Sequence, residues 1–475
     1  MNPRTLIKDL SEHVGKEVSF SGFVHARRDH GKIVFFDMRD ETGHVQVVLS
    51  NKNETVFASI SDVRSEWVLT IKGLVKARPE KLVNADEQNG SIEIEALDVQ
   101  ILNKANTPPF DPTTDTSGIN EETRLQYRYI DLRSERMQKN IRMRSEWVRY
   151  CRDYLFGERF VEIETPLLTQ STPEGSRDFI IPSRHNPGNF YALPQSPQQY
   201  KQLLMASGFE RYFQMARCVR DEDLRADRGY EFTQIDLEMA YVTKEDVMNA
   251  VEGMVTAAAE AMGKTIKEKP FPHITYKDAM AKYGADKFDM RTEEDKANGV
   301  LAYAWVIDFP FFEKTDEGKW TFTHNPFSMP APEHLEWHMK GEHLEDIITQ
   351  QYDLVCNGFE SGGGSIRAHQ PEILKATYRN MGYSDAETEA SVGHMLEAFA
   401  YGVPPHGGIA LGVERNIMNL SGETYLREVQ PFPMTGRGKT SIMNAPTPAT
   451  PEQLKELGLS VVVKDTKKQG DKDTK

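Results

Sequence analysis

The chain has few cysteines and no long hydrophobic run. Its three cysteines, Cys151, Cys218 and Cys356, are far apart and form no CxxC pair, which argues against a disulfide framework and a structural zinc site. No apolar run reaches the roughly 20 residues that a membrane-spanning helix needs. The N-terminal residues MNPRTLIKDLSEHVG lack the apolar core of a signal peptide. The sequence therefore predicts a cytoplasmic protein with no membrane partner.

Positive charges are outnumbered by negative ones. The 475 residues include 57 lysines and arginines against 72 aspartates and glutamates, a formal net charge of −15, which argues against a protein coated in nucleic acid. A local basic face stays open, because phosphate contacts depend on where the cations lie. A chain of this length predicts two or more domains with a large core.

The N-terminal part, residues 17–102, predicts five short strands separated by turn signals. Five strands in this length favour a barrel of the OB type, with an SH3-like barrel or a sandwich as alternatives. Within HARRDHGKIVFFDMRD, cations alternate with Phe35 and Phe36, which is typical of single-stranded nucleic-acid binding. Only one of these rings need be exposed, since neighbouring strand residues point to opposite faces. A core position for both rings, beside a basic rim without a partner, is the alternative.

A linker, a helix and a strand are predicted next. Residues 103–119 are rich in proline, threonine and aspartate without periodicity, which indicates an interdomain linker. Residues 134–156 predict a helix whose apolar face carries Ile141, Val148, Cys151 and Leu155. The segment FVEIETPLL then predicts a strand that ends at Pro166.

The most informative stretch is RCVRDEDLRADRGYEFTQIDLE, residues 217–238. It predicts two strands joined by a charged loop. On the return strand, one face carries Phe232, Gln234, Asp236 and Glu238 by the period of two. One aromatic and three polar groups suit a solvated ligand site better than a core. A solvated hairpin tip without a ligand is the alternative.

This stretch resembles motif 2 of class II aminoacyl-tRNA synthetases, and its amino-acid sequence is similar to that of the bacterial-type aspartyl-tRNA synthetases. The helix, strand and Pro166 are similar to motif 1, and GVER at 412–415 is similar to motif 3. The chain departs from this family between motifs 2 and 3, where a large inserted domain is replaced by a short polar connection at 286–304. Gly229 stands where many relatives have a glutamine that contacts ATP, and Asn325 replaces the second histidine of a usual pair.

The resemblance implies an α+β fold. Its parts would be a five-stranded OB-fold β-barrel that binds the anticodon at 1–104, a linker at 105–125, a class II catalytic domain with a mainly antiparallel sheet flanked by helices at 126–445, and a C-terminal extension at 446–475. It further implies a homodimer that activates L-aspartate with ATP and Mg²⁺ and transfers aspartate to the 3′ end of tRNA-Asp. Whether tRNA-Asn is also charged stays open. The rival functions are an asparaginyl- or lysyl-tRNA synthetase, a ligase acting on free amino acids, and a non-catalytic RNA-binding or scaffold protein.

The resemblance also implies roles for individual residues. Arg220 and Arg415 would be catalytic. Aspartate binding would fall to Glu174, Gln198, Lys201, Arg220, Asp236, His324 and Arg367. ATP binding would fall to Arg220, Asp221, Glu222, Phe232, Gln234, Glu360, Gly412, Val413, Glu414 and Arg415. Magnesium would be held by Asp353 and Glu360, and the anticodon by Arg28, His30, Phe35, Gln46 and Glu93. Asparagine would leave the cations Lys201 and Arg367 without a negative partner, so its rejection is expected to be strong.

Overall fold

The computed structural model describes residues 4–171, 175–440 and 442–462. Within this range the chain divides into two compact units. One extends to Ile119 and includes Tyr129–Glu135, and the other comprises Asn120–Arg128 and the chain from Arg136 onward. No helix in the described part of the chain is both long and apolar enough to cross a membrane.

The first unit is a closed five-stranded barrel with the strand order β1-β2-β3-β5-β4. Its strands are β1 (Glu17–Asp29), β2 (Ile33–Asp40), β3 (Gly43–Ser50), β4 (Val68–Ala77) and β5 (Ile92–Asn103), with helix α1 (Glu54–Ser59) before β4. Neighbouring strands are antiparallel except for β3 and β5. The OB-type barrel is therefore confirmed.

The two adjacent phenylalanines of β2 face opposite sides of the barrel wall. Phe36 is fully buried with Val34 and Met38, whereas Phe35 is half-buried on the outer face. The alternation follows from the period of two along a strand. One aromatic ring is thus left for a ligand.

The second unit is built on an eight-stranded sheet of order β11-β12-β15-β16-β17-β10-β9-β6. Its strands are β6 (Val161–Glu162), β9 (Arg211–Val219), β10 (Glu231–Ala240), β11 (His273–Thr275), β12 (Tyr303–Ile307), β15 (Gln351–Cys356), β16 (Phe359–Ile366) and β17 (His406–Gly412). Two small sheets pair β7 (Ile180–Pro182) with β8 (Phe190–Ala192) and β13 (Phe312–Lys314) with β14 (Trp320–Phe322). Only the edge pairs β11–β12 and β6–β9 are parallel, so the mainly antiparallel sheet is confirmed.

The remaining helices follow the barrel in sequence. They are α2 (Glu121–Gln126), α3 (Arg128–Asp131), α4 (Glu135–Gly157), α5 (Gln198–Ala206), α6 (Lys244–Ala261), α7 (Tyr276–Tyr283), α8 (Glu293–Ala297), α9 (Leu335–Lys340), α10 (Pro371–Asn380), α11 (Asp385–Ala400), α12 (Val413–Ser421) and α13 (Pro451–Leu457). Helices α4, α6 and α12 contribute buried side chains to one core with the central strands, so the sheet is held rigidly behind the site.

The predicted apolar face of α4 is partly wrong. Cys151 and Leu155 are buried, but Met143 and Trp147 complete that face, whereas Ile141 and Val148 are only partly buried. The observed residues recur every four positions and so lie one above the other along the helix.

The strand predicted from FVEIETPLL is shorter than expected. Only Val161–Glu162 form β6. Beyond the backbone bond from Ile163 to Phe213, the Thr165 hydroxyl donates to the Gln214 side chain at 3.0 Å. A side-chain contact thus replaces the strand ladder before Pro166, whose nitrogen cannot donate.

Candidate active site

The site lies on the face of β10 that the period of two predicts. Gln234, Asp236 and Glu238 alternate along this strand and are paired in register with Gly412, Ala410 and Gly408 of β17. All three polar side chains are buried. Buried carboxylates require partners, and the neighbouring elements supply them.

A buried charge cluster is formed by Lys201, Asp236, Glu238 and Arg367. Lys201 Nζ lies 2.8 Å from Asp236 Oδ2 and 3.2 Å from Glu238 Oε2. Arg367 donates to both oxygens of Glu238, from Nε at 2.9 Å and from Nη2 at 3.2 Å. Each of the four is at most 2% exposed, so two cations and two anions balance within the protein.

The carboxyl groups of the cluster have shifted pKa values. Burial raises the pKa of Glu238, but the charges of Arg367 and Lys201 outweigh burial and hold this pKa below its ordinary value. Burial raises the pKa of Asp236 above its ordinary value, against the opposing charge of Lys201. Burial also lowers the pKa of the neighbouring His406 to about 4, so this imidazole adds no positive charge at neutral pH. The cluster is therefore near neutrality without a ligand's charge.

Two buried polar atoms beside the cluster have no hydrogen-bond partner among the described residues: Asp236 Oδ1 and Gln198 Nε2. Leaving a buried polar atom unpaired costs about 1–3 kcal/mol, so such atoms are rare without a reason. An acceptor and a donor of this kind suit the ammonium and an oxygen of an amino acid.

A chain of hydroxyl groups supports Arg367 from the other side. Its Nη1 donates to Ser365 Oγ at 2.9 Å, and Ser328 Oγ lies 2.9 Å from the same oxygen. Ser328 is in turn within 3.2 Å of Asn325 Oδ1, which also accepts from the Phe327 backbone at 3.0 Å. Asn325 therefore stabilises a turn beneath the cluster.

Several glycines on β16 and β17 are required by close packing. A Cβ at Gly408 would lie 2.0 Å from Glu238 Oε2, and one at Gly364 would lie 2.1 Å from the Gly408 carbonyl. Strand β17 occupies the space above Gly364, so this glycine serves the packing of the two strands.

A cavity of about 160 Å³ is lined by other residues of the same strands β10 and β17, together with neighbouring segments. Its lining includes Arg220, Phe232, Gln234, Glu360, Gly412 and Arg415. The guanidinium of Arg220 lies over the Phe232 ring, 5.0 Å from its centroid, and its Nε donates to the Gln195 carbonyl at 3.2 Å. Arg415 reaches Asp227 at 3.2 Å and Glu360 at 3.6 Å. An aromatic ring and two arginines that line one cavity suit a nucleotide.

Glu360 and Asp353 are the predicted magnesium ligands. Burial raises the pKa of Glu360, but Lys287 and Arg415 outweigh burial and lower it to about 2. Asp353 accepts from Gln351 at 2.7 Å and lies 3.6 Å from His324, while burial raises its pKa. In the described ranges no three His, Cys, Asp or Glu side chains are grouped to hold a metal. Two carboxylates nevertheless fit Mg²⁺, which takes few carboxylates together with phosphate oxygens and water.

Several residues assigned to ATP have other contacts. The Val413 side chain lies in the hydrophobic core, so only its backbone can face a ligand. Glu414 is bound by Arg144 at 3.0 Å and by the Thr233 backbone at 3.1 Å, which makes it a link between elements. Glu222 pairs with Arg228 at 2.7 Å and accepts from Ser176. Asp221 pairs with Arg177 at 3.5 Å, and both side chains are at least one-third exposed.

The sequence-based assignment missed some residues of the site. Glu174 lies outside the described residues. Glu238 had been placed on the correct face but given no role. Asp227 and Ser365 were not assigned, although each is close in sequence to an assigned residue. Lys287 was not assigned either and had no such signal.

The five proposed anticodon residues lie together on the barrel. Arg28 Nη2 donates to Gln46 at 3.1 Å, and Gln46 reaches Glu93 at 3.4 Å. The Phe35 ring has the Arg28 guanidinium 5.9 Å from its centroid and the edge of His30 at 5.6 Å. A half-buried ring on the outer face, beside hydrogen-bonding side chains, is the kind of arrangement by which single-stranded bases are read.

The described residues combine an OB-type barrel with a mainly antiparallel sheet that carries a buried charge cluster and a cavity lined by two arginines and an aromatic ring. The chain belongs to the family described as tRNA synthetases class II (D, K and N), whose model matches residues 120–436, and residues 18–102 match the OB-fold nucleic acid binding domain. It is therefore a ligase that forms aminoacyl-tRNA.

Proteins similar to this chain include ligases that are named for aspartate and tRNA. The chain is 37% identical to an aspartate--tRNA ligase of Geobacillus kaustophilus, with 95% of this chain and 97% of that protein covered. An aspartate--tRNA(Asp/Asn) ligase of Rubrobacter xylanophilus is also 37% identical, with 95% of each chain covered. Each alignment extends over 575 residues although this chain has 475, so at least 100 aligned positions have no counterpart here. This length difference agrees with the missing insert.

Solved structures share the fold. Aspartyl-tRNA synthetase of Entamoeba histolytica superposes with a TM-score of 0.72 at 22% identity, covering 91% of each chain. Asparaginyl-tRNA synthetase of Pyrococcus horikoshii superposes with a TM-score of 0.73 at 21% identity, covering 92% of this chain and 99% of that chain.

Proposed function

We propose that the chain is an aspartate--tRNA ligase. The observation that carries this proposal is the buried charge cluster, in which Arg367 and Lys201 are fixed by Glu238 and Asp236. Arg367 keeps donors on Nη1 and Nη2 that bond only a hydroxyl and a backbone carbonyl besides Glu238. A substrate carboxylate can receive two parallel bonds from Nη1 and Nη2 by taking the Nη2 donor that now reaches the Gly408 carbonyl at 3.3 Å.

The first step joins aspartate to AMP. An oxygen of the aspartate α-carboxylate attacks the α-phosphorus of ATP, and the bond to the bridging oxygen of pyrophosphate breaks. Arg220 reduces the repulsion between the two anions, and Arg415 holds the departing phosphates. Phe232 packs on the adenine. Asp353 and Glu360 would hold Mg²⁺, which supplies further neutralisation of phosphate oxygens. Asp236 Oδ1 accepts from the amino group, and Gln198 Nε2 donates to an oxygen of aspartate. His324 and Glu174 are further proposed aspartate-binding residues.

The second step transfers the aspartyl group to tRNA. The 3′ hydroxyl of the terminal adenosine attacks the carbonyl carbon, the bond to AMP breaks, and the AMP phosphate is the proposed acceptor of the hydroxyl proton. The barrel residues Arg28, His30, Phe35, Gln46 and Glu93 bind the anticodon. We propose tRNA-Asp as the acceptor, in a cytoplasmic enzyme.

The expected basis for rejecting asparagine was that it would leave the cations Lys201 and Arg367 without a negative partner. The charge cluster requires another explanation. Lys201 and Arg367 do not need the negative charge of a substrate as a partner, because Asp236 and Glu238 already neutralise them. The reason is that isolated charges are too costly to bury. Discrimination rests instead on hydrogen-bond polarity: the side-chain amide of asparagine would direct its NH₂ donors at the donors of Arg367.

A homodimer is part of the proposal. Large apolar side chains are exposed around the end of α4 and the segment after β6, including Phe156 at 52%, Leu167 at 53% and Leu168 at 52%. An exposed apolar patch of this kind suits a protein interface. Sedimentation of the purified protein tests this assembly.

The test of the function is aspartate-dependent exchange of labelled pyrophosphate into ATP. Exchange with aspartate and not with asparagine or lysine is expected. Exchange with no amino acid would contradict catalysis, and exchange with asparagine or lysine would assign a rival specificity. Purified tRNA-Asp and tRNA-Asn are then compared as acceptors, since the Rubrobacter xylanophilus relative is named for both.

Replacing Phe35 with alanine should separate the two steps. The change removes a half-buried outer ring, and base stacking on an aromatic ring contributes about 1–3 kcal/mol. We expect kcat/KM for tRNA to fall by roughly 5- to 150-fold with unchanged pyrophosphate exchange. The exposed barrel residue Leu97, replaced by alanine, is the control. An equal loss of kcat/KM for tRNA and of pyrophosphate exchange would contradict a specific role of the ring in tRNA binding, because it would indicate a general effect on the folded enzyme.

Introducing glutamine at Gly229 should improve ATP binding. A Cβ at this position would meet Leu426 Cδ1 at 3.5 Å, an ordinary contact, and the residue lines the nucleotide cavity. One added hydrogen bond contributes about 0.5–1.5 kcal/mol, so KM for ATP should fall by about 2- to 10-fold. Gly436→Gln, where a Cβ meets nothing within 4 Å, is the control. A KM for ATP that stays constant or rises would refute this expectation.

A further inference from the structure

Lys287, in the segment between helices α7 and α8, reaches Glu360. Its Nζ lies 2.8 Å from Glu360 Oε2. The same oxygen lies 3.6 Å from Arg415 Nη1. Glu360 thus has two cationic partners at the edge of the nucleotide cavity.

The backbone on either side of Lys287 is anchored. The next residue, Phe288, is buried and stacks on Tyr283 with ring centroids 4.2 Å apart. Its carbonyl accepts from the Gly358 backbone at 3.0 Å, two residues before Glu360. Arg291 and Asp289 then form a local ion pair at 2.8 Å. The fold therefore holds the start of this lysine side chain beside Glu360, in contrast to a lysine on a free surface loop.

Glu360 cannot keep all its cationic partners if it also holds a divalent cation. Three positive centres would then meet at one carboxylate, and like charges at such distances repel. Lys287 is the group placed to leave, because its side chain is 41% exposed, against 22% for Arg415. Its stem has four rotatable carbons and a compact charge, and the phosphates of the proposed reaction lie next to Glu360.

We propose that Lys287 is a phosphate-binding residue of the activation reaction, which exchanges its contact with Glu360 for the β- and γ-phosphates of ATP and for the departing pyrophosphate. The inference rests on the proposed function. Lys287 would add a third cation, beside Arg220 and Arg415, to a site that must hold a polyphosphate. Moving from Glu360 to phosphate keeps the ammonium paired in both positions, so the exchange leaves no buried charge alone.

The test compares inorganic pyrophosphate with AMP as ligands, by calorimetry on the full chain with Mg²⁺ present. Lys287→Met should weaken pyrophosphate binding at least about tenfold, since a charge-assisted bond to phosphate is lost, and leave AMP binding within about twofold. Lys287→Arg should restore most of the pyrophosphate affinity. Lys277→Met, which removes an exposed lysine from α7, is the matched control and should bind both ligands like the unaltered protein.

The outcomes separate this inference from the proposed function. Equal pyrophosphate affinity in Lys287→Met and the unaltered protein would overturn the role of Lys287 while aspartate-dependent exchange remains intact. Equal losses for pyrophosphate and AMP would also overturn it, because they would indicate a structural effect on the whole cavity. Failure of the unaltered protein to catalyse exchange would reject the proposed function itself.

Discussion

Replacing Glu238 with glutamine is expected to reduce both stability and aspartate activation severely. The side chain is fully buried and accepts two bonds from Arg367 while contacting Lys201. Removing its charge leaves a buried excess of positive charge, and breaking a buried pair costs about 3–5 kcal/mol of the free energy of unfolding. Arg367 also loses the bonds that orient it, so kcat/KM for aspartate should fall by about 10²–10³.

Urea unfolding and pyrophosphate exchange measure the two effects separately. Glu260→Gln is the matched control, because Glu260 forms an exposed ion pair with Lys269, and its loss should change stability by no more than about 0.5 kcal/mol. The double variant Glu238→Gln with Lys201→Met removes one charge of each sign. It should regain part of the lost stability without regaining activity. A single Glu238→Gln variant as stable as the parent would show that the cluster is not held by this charge.

Part of this cluster is visible in the sequence and part is not. The period of two placed Gln234, Asp236 and Glu238 on one face, because side chains alternate along any strand. Their partners come from α5 and from the end of β16, 35 and 129 residues away from the acids they bind. The spacing of residues along the sequence does not predict which side chains of different helices and strands will pair. The resemblance to a family supplied Lys201 and Arg367, but not the carboxylate that joins them.

The differences in the fold have similar causes. The barrel was predictable, because each of its strands alternates between one buried and one outer face. The end of β6 was not predictable. The alternating residues continue to Thr165, but there a side-chain hydrogen bond to Gln214 replaces the backbone pairing with β9. Lys287 was hidden for another reason. A lysine in a polar connection has no periodic pattern, and only the packing of Phe288 shows where it is held.

Replacing Arg415 with glutamine is expected to impair the nucleotide half of the reaction and leave the aspartate pocket intact. Arg415 is at the start of α12, lines the cavity and bonds Asp227 and Glu360, while the buried charge cluster does not include it. Loss of one positioned cation that stabilises developing phosphate charge should lower kcat by about 10²–10³. KM for aspartate should change by less than about twofold, since uniform binding of that substrate is retained.

Two further variants serve as comparisons for the Arg415→Gln result. Arg437→Gln removes an arginine that is 83% exposed, 3.8 Å from Glu122, and should behave like the parent. Arg415→Lys keeps the charge but loses the planar guanidinium, so it should recover only part of kcat if the plane itself contacts adenine and phosphate. Full recovery would mean that charge alone is needed. A loss confined to KM for aspartate would place Arg415 in the amino-acid pocket and contradict its role at the phosphates.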